Sequence, residues 1–330
     1  MNLRISLLLS LLLSPFTMTA YATDPPAQWR ASWPATDFSK ATVDFGEIRS
    51  GGPGKDGIPA IDAPRLVPLA DYTAADDKEP VVGLVINSEA RAYPLRVLIW
   101  HEIVNDEVGG VPVTITYCPL CNTSVVFERR LEGRLLDFGT TGNLRHSDLV
   151  MYDRQTQSWW QQYGGEAIVG ALAGKRLRVV PSRLESLAEF RARAPGGKVL
   201  IPTDPNARDY GASPYAGYDR SAVPFLYGGR LPAGVEPMMR VVAVGDHAWT
   251  LPLISKAGKL VQEGVELRWR AGQRSALDAA RIDEGRDVGS VQVTRGGADV
   301  PHVVTFAFAF FAFNPRGVLY TESGPLRQPD

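Results

Sequence analysis

Both cysteines of the chain fall in one four-residue motif, Cys118-Pro119-Leu120-Cys121. A disulfide between them would close a very short loop, for which the chain-entropy model gives only about 2 kcal/mol of stabilisation. Because stability alone is a weak reason for such a bridge, two chemical interpretations stay open. The pair is either an exchangeable dithiol or part of a thiolate metal site.

A metal site needs more ligands than two thiolates, and the chain has four histidines. His101 and His146 lie in the same part of the chain as the cysteines. Two thiolates with one or two imidazoles suit Zn(II) or copper, and soft sulfur ligands favour Cu(I) in particular. We therefore predict a metal or redox site at Cys118 and Cys121, with His101 and His146 as further ligands and copper or zinc as the candidate cofactor.

Two other enzymatic interpretations of the cysteines fit the sequence less well. A thioredoxin-like protein would place a long helix after the motif, whereas residues 122–127 have the pattern of a strand. In a cysteine hydrolase, Cys118 or Cys121 would be the nucleophile and a histidine the base, but the second thiol would capture the nucleophile as a disulfide. The run His146-Ser147-Asp148 contains the residue types of a triad, yet sequence neighbours rarely point at one another. The hydrolase remains a third hypothesis.

Aromatic and polar residues near these motifs suggest a surrounding shell. We expect Tyr117 and Trp100 to form the aromatic wall of the site, and Asp153 and Arg154 to support it or to contact a ligand. Trp159 follows in a stretch of aromatic and amide side chains, a mixture that suits a groove for a polar ligand. The alternative is that Trp159 packs in the core. A non-catalytic binding module with this groove and a structural Cys-x-x-Cys disulfide is therefore the second hypothesis.

The overall composition excludes some partners. The chain has 330 residues and a net charge of −1, whereas binding to nucleic acid or anionic lipid requires a clustered excess of Lys and Arg. We therefore expect no nucleic-acid partner, and the candidate partners are a small molecule or a periplasmic redox protein. The chain's 32 glycines and 25 prolines favour many turns and short strands, so the predicted fold class is β-rich.

The N-terminus has the features of a secretory signal peptide. A basic residue at Arg4 precedes an apolar run at 5–13, and Ala20-Tyr21-Ala22 provides the small-x-small cleavage site. The apolar run is too short to cross roughly 30 Å of hydrocarbon. We predict cleavage after Ala22, a periplasmic or secreted protein, and no membrane span in the mature chain.

An internal similarity suggests a duplication. At a spacing of 158, the segment from Val81 matches residues 239–253, and further on Phe190 and Gly197 find counterparts in Phe310 and Gly317. The predicted fold is therefore α+β and β-rich, with two related units of short strands and one helix each. The predicted divisions are a signal peptide at 1–22, an irregular arm at 23–78, a first unit at 79–202, a linker at 203–235, a degenerate second unit at 236–322 and a tail at 323–330.

Local patterns locate the elements within these units. A capping box at Ser182 and Glu185 predicts a helix over 182–194, and the repeat predicts a second helix over 304–313. A shorter helix or turn is expected at 95–104. Apolar alternation predicts strands at 82–87, 90–93, 111–117, 123–129, 134–138 and 199–201.

Several motifs resemble one known family. They are Lys55-Asp56-Gly57-Ile58-Pro59, the stretches at 90–95 and 101–106, Tyr117-Cys118-Pro119-Leu120-Cys121, and the stretch at 152–156. In this order they resemble the bacterial and archaeal family of domains of unknown function 3179. The resemblance implies an exported protein and names no reaction. Asn122 departs from the family pattern, in which glycine is expected, and phenylalanines at 306, 308 and 310 stand at expected tryptophan positions.

Overall fold

The computed structural model describes residues 24–329, and the predicted signal peptide lies outside them. Within this range the chain forms five short α-helices. They are α1 (Ala27–Ser32), α2 (Leu95–His101), α3 (Leu187–Arg193), α4 (Leu251–Ala257) and α5 (Ala307–Phe313). None of the helices in the described part has the length and hydrophobicity that a membrane span requires.

Strands make up most of the regular structure. In chain order they are β1 (Ile48–Ser50), β2 (Arg65–Pro68), β3 (Pro80–Ile86), β4 (Glu89–Pro94), β5 (Ile103–Val108), β6 (Val111–Cys118), β7 (Thr123–Glu128), β8 (Arg130–Leu131), β9 (Arg134–Leu135), β10 (Phe138–Arg145), β11 (Asp148–Asp153), β12 (Trp159–Gln161), β13 (Glu166–Val169), β14 (Val179–Val180), β15 (Arg183–Ser186), β16 (Lys198–Ile201), β17 (Arg240–Val244), β18 (His247–Thr250), β19 (Lys259–Gln262), β20 (Val265–Arg270), β21 (Ser290–Arg295), β22 (Ala298–Asp299), β23 (Val303–Phe306), β24 (Val318–Thr321) and β25 (Gly324–Leu326).

The strands form a five-bladed β-propeller. Its blades have the strand orders β1-β10-β11-β12-β13, β14-β7-β6-β5, β15-β3-β4-β16-β2, β23-β17-β18-β24-β25 and β19-β20-β21-β22. A small hairpin of β8 and β9 stands apart. The predicted arm supplies β1 and β2, which are edge strands of two different blades.

The prediction of two duplicated units with one helix each is wrong. Residues 79–202 contribute to three blades and carry α2 and α3, and residues 236–322 contribute to two blades and carry α4 and α5. The reason is that strands far apart in sequence pair within one blade, as β15 does with β3, and local patterns do not encode such pairing.

The similarity in sequence corresponds to a likeness between two blades. In each, a central hairpin is flanked by one antiparallel and one parallel neighbour, the parallel pairs being β4 with β16 and β18 with β24. A glycine lies against a phenylalanine ring in both, Gly197 at Phe190 and Gly317 at Phe310. The matched residues therefore have equivalent packing roles within blades.

The predicted helix at 182–194 begins later than expected. Residues 183–186 pair with β3 instead, and the capping box is formed by Ser186 and Glu189 at the start of α3. Glu185, the expected capping partner, forms an ion pair with Arg193. The same Ser-x-x-Glu spacing occurs twice in succession, and strand pairing decides which copy caps the helix. The predicted helix at 304–313 likewise begins as strand β23 and is helical from Ala307.

Candidate metal centre

The Cys-x-x-Cys motif forms the turn between β6 and β7, with Cys118 at the end of β6. The turn closes when the Asn122 amide donates to the Pro119 carbonyl oxygen at 3.1 Å. Asn122 has a φ of 50°, in the left-handed region that favours glycine and tolerates asparagine. This backbone conformation explains why glycine is the family expectation at this position. The strand β7 follows the motif directly, as the sequence predicted.

A second tight turn faces the thiols. His146 and Ser147 connect β10 and β11, and both have positive φ, 53° and 67°. The Cys118 thiol donates to the Ser147 carbonyl oxygen at 3.5 Å, and the Cys121 thiol lies 4.0 Å from the His146 carbonyl oxygen. Together with Asn122, three residues other than glycine thus hold left-handed conformations around one pair of sulfurs. Such concentrations of backbone strain are typical of functional sites.

Asp148, directly after this turn, completes a three-residue cluster. One carboxylate oxygen of Asp148 and the sulfurs of Cys118 and Cys121 all lie within 4.8 Å of one another, and all three residues are buried. Asp148 Oδ2 accepts hydrogen bonds from Gln161 Nε2 at 2.6 Å and from the Tyr163 amide at 2.9 Å. Oδ1 is buried and has no hydrogen-bond partner among the described residues, and the Cys121 thiol is close to the carboxyl group. The hydrogen bonds to Oδ2 therefore fix the orientation of the carboxyl group, and Oδ1 is left available to bind a cation.

Glu102 adds a second buried carboxyl group near the cluster. It follows α2 with a φ of 57°, and its backbone oxygen accepts from the Tyr117 amide at 2.8 Å. Burial, reinforced by the charge of Asp148, raises the pKa of Glu102 to about 8. Within the described residues its carboxyl group has no hydrogen-bond partner. It is a buried acid near the candidate ligands Cys118 and Asp148.

The protonation of the cluster follows from its burial. Burial raises the pKa of both thiols, that of Cys121 well above its ordinary value. Burial also raises the pKa of Asp148 to about 7, although hydrogen bonds from Gln161 and Tyr163 oppose the shift. Without a cation, the two thiols therefore retain their protons at neutral pH, whereas Asp148 exchanges its proton around that pH. A bound cation would replace the protons.

Neither predicted histidine places its ring in the cluster. His101 Nδ1 lies 2.8 Å from the Pro59 carbonyl oxygen and its Nε2 lies 2.8 Å from Tyr210 Oη. His146 Nε2 lies 3.4 Å from Glu47, so this residue faces the thiols only through its backbone oxygen. The third candidate ligand is Asp148. In the sequence, Asp148 was noticed only as part of the His146-Ser147-Asp148 run. That run is a tight turn because β10 pairs with β11 on either side of it.

The two predicted aromatic wall residues have different environments. Tyr117 is fully buried, directly precedes Cys118 and donates to Asn122 Oδ1 at 3.3 Å, so it braces the turn of the motif. Trp100 is partly buried and packs against the main hydrophobic core. Its indole Nε1 has no hydrogen-bond partner among the described residues.

The predicted groove residues have structural partners. Asp153 accepts from the Thr156 amide at 2.6 Å and from Trp160 Nε1 at 2.8 Å, which closes the turn after β11. Arg154 pairs with Asp62 at 2.7 Å. Trp159 is fully buried and packs against aromatic residues of the arm, namely Trp29, Trp33 and Phe38. Trp159 thus packs in the core, as the alternative interpretation predicted. Its contacts with the arm hold the arm against the propeller.

The cluster is braced by a distant part of the chain. The Phe306 amide and the Thr305 hydroxyl both donate to the Cys121 carbonyl oxygen, at 3.2 Å and 2.9 Å. Thr305 Oγ1 also lies 2.9 Å from Thr123 Oγ1. The second cysteine is therefore held by β23 as well as by its own blade.

A family model described as a protein of unknown function, DUF3179, matches residues 55–317. The chain belongs to the DUF3179 family. The match confirms the resemblance and includes all members of the cluster. No curated protein and no solved structure matches this DUF3179 chain.

Proposed function

We propose that this DUF3179 protein binds a divalent metal ion of the zinc type through Cys118, Cys121 and Asp148. The observation that supports the proposal is the convergence of two sulfurs and one carboxylate oxygen within 4.8 Å in a buried site. The free Oδ1 of Asp148 strengthens it, because a buried carboxylate oxygen without a donor is costly unless a cation takes that place.

The donor set favours zinc over Cu(I). Zn(II) accepts both thiolate and carboxylate ligands, whereas Cu(I) prefers sulfur alone. Three protein ligands leave one position of a tetrahedral ion open, which is typical of catalytic rather than structural zinc sites. When bound, the metal would supply a Lewis acid. Glu102 is the carboxyl group placed to hold a proton nearby.

Thiol redox chemistry is the second candidate. The two sulfurs lie within 4.8 Å of one another, so a small movement would allow a disulfide to form. The raised pKa of both thiols lowers the fraction of the thiolate that would attack a disulfide at neutral pH. We therefore rank metal binding first. The signal-like N-terminus supports a further proposal, that the protein acts after export; mass spectrometry of the exported protein would show an N-terminus at Thr23.

Metal content tests the proposed function. Protein reduced, stripped with a chelator and loaded with zinc should retain about one zinc per chain after desalting, as expected from the one cluster that residues 24–329 form. Cys118→Ser and Asp148→Asn should each lose it. Asp246→Asn, which removes a largely exposed carboxylate, and His146→Gln, which removes a ring outside the cluster, should keep it.

Two results would contradict this function. One is full zinc retention in the Cys118→Ser variant with circular dichroism that matches the parent protein. The other is a parent protein that takes up no zinc although thiol titration finds both cysteines free. A disulfide that forms and is reduced reversibly, with no metal uptake, would favour the redox candidate.

A further inference from the structure

A cavity of about 760 Å³ is lined by residues of the arm, the turn at His146, the loop after β16 and α5. Its volume falls in the range of pockets that bind small molecules. None of Cys118, Cys121 and Asp148 lines it, so the cavity is a separate site from the candidate metal centre.

Most of the cavity wall is apolar. Phe311 comes from α5, and Val223, Pro224 and Leu226 come from the loop after β16. The side chains of Val223 and Leu226 are nevertheless exposed to solvent. Because exposed aliphatic surface in the lining of a cavity gains free energy when it is covered, this wall favours a ligand with an apolar body.

Two polar side chains of the lining have unused hydrogen-bonding groups. The guanidinium group of Arg49 forms no hydrogen bond or ion pair within the described residues, and neither does the hydroxyl of Tyr227. Glu47, in the same lining, instead pairs with Arg145 at 2.7 Å and lies 3.4 Å from His146 Nε2. The negative charge in the lining is therefore compensated, whereas the positive charge of Arg49 is not.

The chain around the cavity adds further positive charge. Arg230, Arg316 and Arg327 each directly adjoin a lining residue, and all three are exposed. None of them forms an ion pair within residues 24–329. The tail holds them near one another, because Arg327 donates to the Arg316 carbonyl oxygen at 3.0 Å and Gln328 Nε2 donates to the Arg230 carbonyl oxygen at 2.8 Å. Such an excess of positive charge attracts an anion.

We propose that this cavity binds an amphipathic organic anion, whose apolar body lies against the aliphatic and aromatic wall and whose carboxylate head group binds Arg49. A guanidinium group binds a carboxylate through two parallel hydrogen bonds, and the Tyr227 hydroxyl is a further donor in the same lining. A cationic ligand would meet uncompensated arginines, and a wholly apolar ligand would leave Arg49 without a partner. The site does not depend on the proposed function, so it stands even if the metal centre does not bind zinc.

Three probes with the same apolar body test the charge that the cavity selects. 4-Butylbenzoate is an anion at neutral pH, 4-butylbenzyl alcohol is uncharged and 4-butylbenzylamine is a cation. In ligand-observed NMR, we expect the benzoate to bind saturably and at least about tenfold more tightly than the alcohol or the amine, because only the benzoate pairs with the guanidinium group.

Substitution of Arg49 locates the head group. Arg49→Gln should weaken binding of the benzoate about tenfold and leave binding of the alcohol unchanged. Arg134→Gln, at an exposed position on β9 outside the lining, should change neither. Equal binding of the three probes, or full binding of the benzoate by Arg49→Gln, would overturn the proposal.

A matched pair of valines tests the apolar wall. Val223 in the lining is 67% exposed, and Val261 on β19, outside the lining, is 66% exposed, so the fold should tolerate aspartate at both. Val223→Asp should weaken binding of the benzoate at least about tenfold through charge repulsion and lost apolar contact, and Val261→Asp should not.

Two outcomes of this pair would also overturn the proposal. One is an equal effect of the two aspartates on binding of the benzoate. The other is a parent protein that forms a dimer in analytical ultracentrifugation, dissociates in Val223→Asp and binds no benzoate. That result would assign the exposed wall to a second copy of the chain.

Discussion

The Thr305 hydroxyl donates a hydrogen bond to the Cys121 carbonyl oxygen at 2.9 Å, between residues 184 positions apart in the chain. Both residues are fully buried. This contact connects β23, in a blade from the second half of the chain, to the turn that carries the candidate metal ligands. The position of the second cysteine therefore depends on the closure of the propeller.

Removal of this hydroxyl should weaken both stability and metal retention. Thr305→Val keeps the side-chain shape but leaves Thr123 Oγ1 and the Cys121 carbonyl with fewer partners, at a cost of about 1 kcal/mol in the free energy of unfolding. Denaturant unfolding checks the stability, and competition with a zinc chelator checks the affinity. Unchanged zinc affinity in the variant would show that β23 does not position Cys121.

The buried ion pair of Asp219 and Arg240 should be a major source of stability. Asp219 and Arg240 are both buried and lie 3.1 Å apart, so Asp219→Asn leaves Arg240 without its anionic partner. We expect a loss of about 3 kcal/mol in the free energy of unfolding, because an unpaired buried charge is costly. Urea denaturation measures it.

The matched control removes an exposed charge. Lys256 and Glu322 pair at 3.2 Å on the surface, and Glu322→Gln should change the free energy of unfolding by less than about 1 kcal/mol. Equal effects in the two variants would contradict the importance given to the buried ion pair.

Two neighbouring glycines should differ sharply in their tolerance of alanine. A Cβ at Gly197 would lie 2.9 Å from the Phe190 ring and 3.0 Å from the Ala194 carbonyl oxygen, whereas a Cβ at Gly196 would meet nothing within 4 Å. Gly197→Ala should therefore destabilise the protein by about 1–3 kcal/mol through overpacking, and Gly196→Ala should be close to neutral. Thermal unfolding of the pair checks this, and equal melting temperatures would refute the packing described for this blade.

The stability of the metal-free protein should fall as the pH rises. The folded pKa of Glu102 is about 8, above its ordinary value of 4.5. A carboxyl group with a raised folded pKa contributes stability below its unfolded pKa and loses it as the pH rises through the folded pKa, so the window is about pH 4.5 to 8. Glu102→Gln should reduce this slope by up to about 1.4 kcal/mol per pH unit.

The measurement is the free energy of unfolding of chelator-treated protein between pH 5 and 8, a range that lies within the expected window. Glu107→Gln, at a mostly exposed position on β5, serves as the control and should keep the slope of the parent protein. A Glu102→Gln variant with the same slope would show that this carboxyl group already ionises in the folded state over that range.

The sequence by itself determined the local features of this protein. Alternation located hairpins such as β3 with β4, the motif at Cys118 and Cys121 indicated the candidate site, and the family resemblance followed from ordered motifs. These features depend on neighbours within a few residues, where backbone geometry links spacing directly to structure.

Only the tertiary structure decided which residues meet. Histidine was the expected third ligand by residue type, yet the rings of His101 and His146 are engaged elsewhere and Asp148 enters the cluster, because the pairing of β10 with β11 brings their connecting turn to the thiols. Blade number and the bracing of Cys121 by Thr305 likewise depend on pairing between strands far apart in sequence. Such pairing depends on the burial and packing of whole blades, which no local pattern contains.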